Sequence, residues 1–150
     1  MLDATAPLEM KSPKLVRRLL SQGFKLIDAG RGRLVFGRPE SPLVYKVSWR
    51  TKTDKNQVEW DKYQSLSADQ KKLVVPILEF HKLIDGNSVL VQARAKPITH
   101  STPEETAEAN QIMKAVGVND YVGDYAARNF GYFQGQLRIL DIDSPTTAKP

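Results

Sequence analysis

The chain has 150 residues, of which 41% are hydrophobic and 26% are charged, and this composition is typical of one globular domain with a sizeable core. No apolar run approaches the roughly 18 residues needed to span a membrane, and no apolar signal core follows the N-terminus. The absence of cysteine excludes disulfides and thiolate chemistry. Together these features predict a cytoplasmic protein that does not enter a membrane.

The net charge of +5 is unevenly distributed along the chain. Residues 1–75 contain 15 basic and 8 acidic residues, whereas residues 76–150 contain 7 basic and 9 acidic residues. A basic half is most often a solvated surface, but it also attracts phosphate groups or nucleic acid. Nucleic-acid binding is therefore one possible function, and the acidic half could hold a cation.

The first predicted elements are a flexible arm, a helix and an antiparallel meander. Residues 1–11 show no periodicity and are expected to form the arm. Ser12 followed by Pro13 predicts an N-cap and a first helical turn, and Gly23 predicts the end of that helix. Glycine and proline turns separate three apolar runs, which is typical of consecutive strands. These strands are predicted at residues 24–28, 33–36 and 43–49.

A second helix is predicted from Thr53 or Asp54 to about Leu66, with Val58, Tyr63 and Leu66 facing the core. The remaining pattern predicts two strands, a further helix with acidic residues in its first turn, and a short hairpin. These elements are predicted at residues 73–80 and 88–93, from Pro103 to about Gly117, and around a turn at residues 133–136.

Lys46 lies among apolar residues in the third predicted strand. Strand alternation places Val44, Lys46 and Ser48 on the less apolar face of the sheet. A lysine in such a position is usually the solvent-facing residue of the strand. Glu59, in the following helix, could instead pair with its ammonium, although an ordinary surface glutamate is the alternative.

Three polar residues mark the last third of the chain. Asp124 and Asn129 have a D-x4-N spacing, and Asp141 directly follows the apolar run LRIL. Aspartate and asparagine are common turn residues, so a structural role explains each of them singly. Their side-chain oxygens are also ligands that Mg²⁺ binds, and a further carboxylate nearby could accept a proton from a nucleophile.

Taken in order, these motifs resemble the protein-kinase-like superfamily. LVYKV resembles its V-A-I-K strand with Lys46 as the lysine, and Glu59 resembles the glutamate of the following helix. GDYAARN resembles the catalytic loop, with Asp124 at the base position and Asn129 as a metal ligand. LDID resembles the D-F-G segment, with Asp141 as the metal aspartate. The G-D before the catalytic loop and the D-x-D at 141–143 look closer to aminoglycoside-phosphotransferase-type enzymes and small bacterial or phage kinases than to eukaryotic protein kinases.

The resemblance implies an α+β, protein-kinase-like fold. Residues 12–95 would form an N-lobe, with a five-stranded antiparallel sheet and one main helix. Residues 96–143 would form a minimal C-lobe with a helix and the catalytic β-hairpin. Residues 144–150 are expected to be a disordered tail.

The same resemblance implies an ATP- and Mg²⁺-dependent phosphotransferase that acts on a protein hydroxyl. Lys46, oriented by Glu59, would contact the α- and β-phosphates. Asn129 and Asp141 would hold Mg²⁺, and Asp124 would orient the acceptor hydroxyl. The implied nucleotide-binding positions are the phosphate turn Gly30-Arg31-Gly32 and the adenine hinge Val91-Gln92-Ala93-Arg94.

Several positions depart from the kinase pattern. Val122 and Gly123 replace the usual histidine and arginine before the catalytic aspartate, and Asp143 replaces the glycine of D-F-G. The glycine turn lacks the full spacing, and the expected second lobe is minimal. An alternative function is therefore a catalytically weak or inactive kinase-like protein that binds and inhibits a partner, such as a phage effector acting on a host protein. A basic nucleic-acid-binding domain is the third possibility.

Overall fold

A computed structural model describes residues 9–30, 32–49, 53–117 and 129–142. This part of the chain has a mixed α+β structure with four helices and a five-stranded antiparallel sheet, which confirms the predicted class and sheet. It divides into two compact units. The first contains the described residues up to 61 together with 77–94, and the second contains 62–76 together with those from 95 onward.

The first unit is built on the five-stranded sheet. Its strands run in the order β1-β2-β3-β5-β4, and every neighbouring pair is antiparallel, so the predicted β1–β2–β3 meander is present. The boundary between the units falls inside α2. The elements are α1 (Ser12–Ser21), β1 (Lys25–Gly30), β2 (Arg33–Gly37), β3 (Leu43–Ser48), α2 (Lys55–Ser65), β4 (Ile77–Lys82) and β5 (Ser88–Ala93).

One face of this sheet carries the apolar core of the first unit. Leu15 and Leu19 of α1 are fully buried against it, and the ring of Phe24 meets that of Tyr45 edge-on at 5.2 Å. Directly opposed residues of β2 and β3 share this face. The core residues are Met10, Leu15, Leu19, Phe24, Phe36, Tyr45, Val47, Leu83, Val89 and Val91.

The predicted N-cap at Ser12 is wrong. The helix begins at Ser12 itself, Lys11 is the residue before it, and no side chain caps it. The hydroxyl and the backbone amide of Ser12 instead donate to one oxygen of Asp85, at 2.7 and 2.9 Å. A cap would use the hydroxyl oxygen as an acceptor for a backbone amide of the first turn, but this oxygen instead accepts from the side-chain amide of Asn87 at 2.9 Å. This contact ties the start of α1 to the β4–β5 turn.

The second unit contains a three-stranded sheet in the order β6-β7-β8. The strand predicted from Leu73 begins later because Leu73 and Val75 instead hydrogen-bond with Ile139 of β8, at 2.9 and 2.8 Å. In the described part, no helix is long and apolar enough to cross a bilayer. The elements are α3 (Ala68–Lys71), β6 (Lys96–Pro97), α4 (Pro103–Val116), β7 (Phe130–Phe133) and β8 (Gln136–Ile139).

Helix α4 and the β7–β8 hairpin match their predicted positions. Thr102 and Glu105 form a capping box at the start of α4, and Gly117 ends it in the left-handed conformation that favours glycine. Gln134 and Gly135 both have positive φ angles, as the tight hairpin turn requires. The buried apolar residues of these elements are Ala109, Ile112, Met113, Val116, Phe130, Leu137 and Ile139.

Candidate functional site

The second face of the five-stranded sheet carries a group of buried polar side chains. Lys46 pairs in register with Val35, and Arg33 pairs with Ser48, so these four side chains share one face of β2 and β3. Lys46 is only 7% exposed. Lys46 therefore lies on the less apolar face, as predicted, but its side chain is buried and does not face solvent. We call this surface the polar face; its buried polar residues are Arg33, Lys46, Ser48, Ser88 and Gln92.

Lys46 and Glu59 form a buried ion pair on the polar face. The ammonium nitrogen of Lys46 lies 3.2 Å from Oε1 and 3.3 Å from Oε2 of Glu59. Glu59 is fully buried, so it is not an ordinary surface glutamate. Buried charges persist only when they are paired and hydrogen-bonded. The ion pair predicted from sequence is therefore present, between β3 and α2.

Arg33 contributes a second cation to the same carboxylate, and the sequence motifs assigned it no role. Its Nη1 donates to Oε1 of Glu59 at 2.6 Å and to Oδ1 of Asn56 at 3.2 Å. Arg33 is the first residue of β2, directly after Gly32. Strand alternation and the register of the β2–β3 hairpin together place Arg33 on the same face as Lys46. This pattern is the signal in the sequence that could have identified Arg33.

Asn56 attaches α2 to the sheet through backbone carbonyls. Its side-chain amide donates to the carbonyl oxygen of Lys46 at 2.8 Å and to that of Ser88 at 3.2 Å. Asp54 caps the helix by accepting from the backbone amides of Asn56 and Gln57, at 3.0 and 3.3 Å. Either Thr53 or Asp54 was predicted as the cap, and Asp54 fills that position.

The predicted orientation of α2 is wrong at Val58. That side chain is 40% exposed, whereas the buried positions of the helix are Asn56 and Glu59. Residues three apart lie on one side of a helix, so the side of α2 that faces the sheet is polar. Tyr63 is partly buried, and Leu66 is buried as predicted.

The predicted phosphate turn is only partly described. Gly30 ends β1 and pairs with Arg33, and Gly32 has a φ of +78°, which favours glycine. The carbonyl of Gly32 accepts from the backbone amide of Trp49 at 2.8 Å. Arg31 lies outside the described residues. Gly30 therefore belongs to strand β1, and Gly32 leads directly into the buried Arg33.

The predicted hinge lies at the end of β5. Gln92 and Ala93 are buried there, and Gln92 pairs in register with Val44 on the face that carries Lys46. Arg94 follows the strand. Its backbone amide donates to the carbonyl of Pro42, and its guanidinium donates to that of Arg38, at 2.8 and 2.7 Å. Arg94 therefore supports the β2–β3 turn.

The two predicted metal ligands lie at one end of the β7–β8 hairpin, in the second unit. Asn129 directly precedes β7, Asp141 closely follows β8, and the amide of Leu140 donates to the carbonyl of Asn129 at 2.6 Å. One carboxylate and one carboxamide oxygen suit Mg²⁺, which commonly takes few protein ligands and completes its shell with phosphate and water. Asp124 lies outside the described residues. No group of three His, Cys, Asp or Glu side chains suited to a metal occurs in the described ranges.

Comparison with known proteins does not place the chain in a family. No protein-family model matches it, and no curated protein matches it at a significant level. Its function is therefore inferred from the ordered motifs and from the geometry of the polar face.

Proposed function

We propose that the protein is an ATP- and Mg²⁺-dependent phosphotransferase of the protein-kinase-like type that acts on a protein hydroxyl. The observation that carries this proposal is the buried ion pair between Lys46 of β3 and Glu59 of α2. It lies on a five-stranded antiparallel sheet in the order β1-β2-β3-β5-β4. A strand lysine held by a helix glutamate is the device that protein kinases use to position the phosphates of ATP.

Each proposed role follows from the chemistry of phosphoryl transfer, which requires positioning and charge neutralisation more than covalent help. Lys46 would contact the phosphate oxygens while Glu59 keeps its ammonium in place. Asn129 and Asp141 would hold Mg²⁺, which neutralises charge on those oxygens when it is bound. Asp124 would orient the acceptor hydroxyl.

Nucleotide binding is tested by thermal unfolding with and without MgATP. A ligand at 100 times its Kd stabilises the folded state by about 2.7 kcal/mol, which gives a measurable rise in Tm. We expect this rise in the wild type and its loss in Lys46→Met and Asp141→Asn. Lys25→Met is the matched control because Lys25 is exposed on β1. A wild type that is indifferent to millimolar MgATP, or a Lys46→Met variant that responds equally, contradicts the proposal.

Turnover requires a separate measurement with ATP labelled at the γ-phosphate. The wild type is expected to transfer label to a protein acceptor, and Asp141→Ala is expected to transfer none. Equal labelling by both proteins, or no labelling by either, removes the enzymatic part of the proposal and leaves nucleotide binding to be judged by the melting experiment.

A kinase-like binding protein that inhibits its partner is the second candidate. It is favoured by the shared carboxylate of Glu59, to which Arg33 and Lys46 both donate. Such an ion cluster can stabilise a binding module as well as an enzyme. Capture of one protein partner by wild type, Lys46→Met and Asp141→Ala alike would favour this function. Loss of that partner in both variants would count against it.

A further inference from the structure

Arg33 holds the carboxylate of Glu59 more closely than Lys46 does. Its Nη1 lies 2.6 Å from Oε1 of Glu59, whereas the ammonium of Lys46 lies 3.2 Å from the same atom. Short charge-assisted hydrogen bonds are the strong ones, and a guanidinium presents its donors in a rigid plane. The position of Oε1 is therefore set in large part by Arg33.

The guanidinium of Arg33 is itself fixed. Its side chain is only 8% exposed, and the same Nη1 donates to Asn56 at 3.2 Å. Asn56 in turn donates to the backbone carbonyl of Lys46. Hydrogen bonds through Arg33 and Asn56 thus link β2, β3 and α2 around the ion pair.

We propose that Arg33 is a positioning residue of the nucleotide site, which holds Glu59 so that the ammonium of Lys46 is in place before ATP binds. This inference rests on the proposed function. In kinase-like enzymes the lysine–glutamate pair must be formed for transfer, and movement of the helix that carries the glutamate controls it. Here Arg33 and Asn56 both tie that helix to the sheet, so the pair stays formed and the site is preorganised.

The first test observes the Lys46 ammonium directly in the nucleotide-free protein by NMR, with lysine labelled at its side-chain nitrogen. The signal of Lys46 is identified by its loss in Lys46→Met. We expect a resolved ammonium signal in the wild type, because an ion pair slows the exchange of its protons. The signal is expected to broaden or disappear in Arg33→Gln while the backbone spectrum is retained, and to return in part in Arg33→Lys.

The second test measures MgATP affinity in the same proteins. Arg33→Gln is expected to weaken binding by about tenfold, the effect of losing one charge-assisted hydrogen bond, and Arg33→Lys is expected to lose less. Arg17→Gln is the matched control, since it removes the same charge from an exposed position of α1. Should Arg33→Gln not fold, the intermediate affinity of Arg33→Lys is the decisive measurement.

The outcomes separate this inference from the proposed function. A wild type that binds no MgATP overturns the proposed function, while the ammonium signal still shows whether Arg33 holds the ion pair. With MgATP bound by the wild type, either an unchanged ammonium signal or an unchanged affinity in Arg33→Gln overturns the positioning role. A wild-type affinity in Arg33→Lys together with a lost signal overturns it as well.

Discussion

The side-chain amide of Asn56 donates a hydrogen bond to the backbone carbonyl of Lys46 at 2.8 Å, next to the ion pair that Lys46 forms with Glu59. The same amide reaches the carbonyl of Ser88 at 3.2 Å. One asparagine therefore attaches α2 to two adjacent strands. Because Asn56 is fully buried, water cannot replace these hydrogen bonds when the side chain is removed.

Truncation of Asn56 is expected to destabilise the protein. Asn56→Ala should lower the free energy of unfolding by about 2–4 kcal/mol, because it removes two buried hydrogen bonds and one bond to Arg33. Urea denaturation monitored by circular dichroism measures the change. Gln57→Ala is the control, since Gln57 makes an exposed hydrogen bond to Asp61 and should change stability by less than about 0.5 kcal/mol. Equal effects of the two substitutions would show that Asn56 does not anchor α2.

Removal of the carboxylate of Glu59 is expected to cost more. Glu59→Ala eliminates the acceptor of both Arg33 and Lys46 within a buried site, and breaking a buried ion pair typically costs about 3–5 kcal/mol. Asp61→Ala, two positions along the helix at an exposed site, provides the control. A double variant, Arg33→Gln with Glu59→Gln, should be less destabilised than the sum of its single variants because both remove one shared interaction. Strict additivity in denaturation measurements would argue against energetic coupling.

The strands of the first unit could be predicted because their turns are marked by glycine and proline and their apolar runs are short. The exact orientation of α2 could not. Apolar periodicity assumes that a buried helix face is apolar, and this assumption placed Val58 in the core, where the structure has Asn56 and Glu59. Asn56 and Glu59 are buried because residues of the sheet satisfy their hydrogen-bonding groups. Those partners are distant in sequence, so the sequence pattern of the helix does not reveal them.

The candidate residues of the two units were predicted to different extents. The order of the motifs predicted the ion pair between Lys46 and Glu59. The register of the β7–β8 hairpin places Asn129 and Asp141 at the same end of that hairpin. Arg33 was missed because arginine after a turn is ordinarily a surface residue, and its burial depends on Glu59 from another element. Ser12 was likewise predicted wrongly as an N-cap, because its hydrogen bonds to Asp85 depend on the tertiary fold.

The Ser12–Asp85 contact predicts acid sensitivity. Partial burial alone would raise the pKa of Asp85, but hydrogen bonds from Ser12 and Asn87 outweigh it and hold the pKa below the ordinary 3.8. A carboxyl with a lowered folded-state pKa stabilises the protein above its unfolded pKa. That stabilisation is lost as the pH falls from about 3.8 through the lower folded-state value.

Substitution of Asp85 tests this dependence. Asp85→Asn removes the titrating group, so its unfolding free energy should depend less on pH than that of the wild type below about pH 4. Asp69→Asn, at an exposed helix position, is the control. Denaturation midpoints between pH 2 and pH 7 provide the comparison. Parallel curves for wild type and Asp85→Asn would mean that the Ser12 hydrogen bonds do not favour the ionised carboxylate.

The hydroxyl of Tyr132 donates to Oε2 of Glu105 at 2.5 Å, joining β7 to the start of α4. This hydrogen bond lowers the pKa of Glu105, with help from the backbone of Thr102, and it raises the pKa of Tyr132 above its ordinary 10.0. The stabilisation from Glu105 is present above its unfolded pKa and lost as the pH falls through the folded-state value. The stabilisation from Tyr132 is present below pH 10.0 and lost as the pH rises through its raised value.

Loss of the Tyr132 hydroxyl should therefore matter most near neutral pH. Tyr132→Phe is expected to have a lower Tm than the wild type between these two limits, and the difference should shrink at both acidic and alkaline extremes. Tyr63→Phe is the matched control because it keeps the ring that the ammonium of Lys71 contacts, at 5.1 Å. Ultraviolet titration should show that the wild type contains a tyrosine with a raised pKa that Tyr132→Phe lacks. A pH-independent difference in Tm would contradict the assignment, because it would mean that neither Glu105 nor Tyr132 controls the hydrogen bond through its proton.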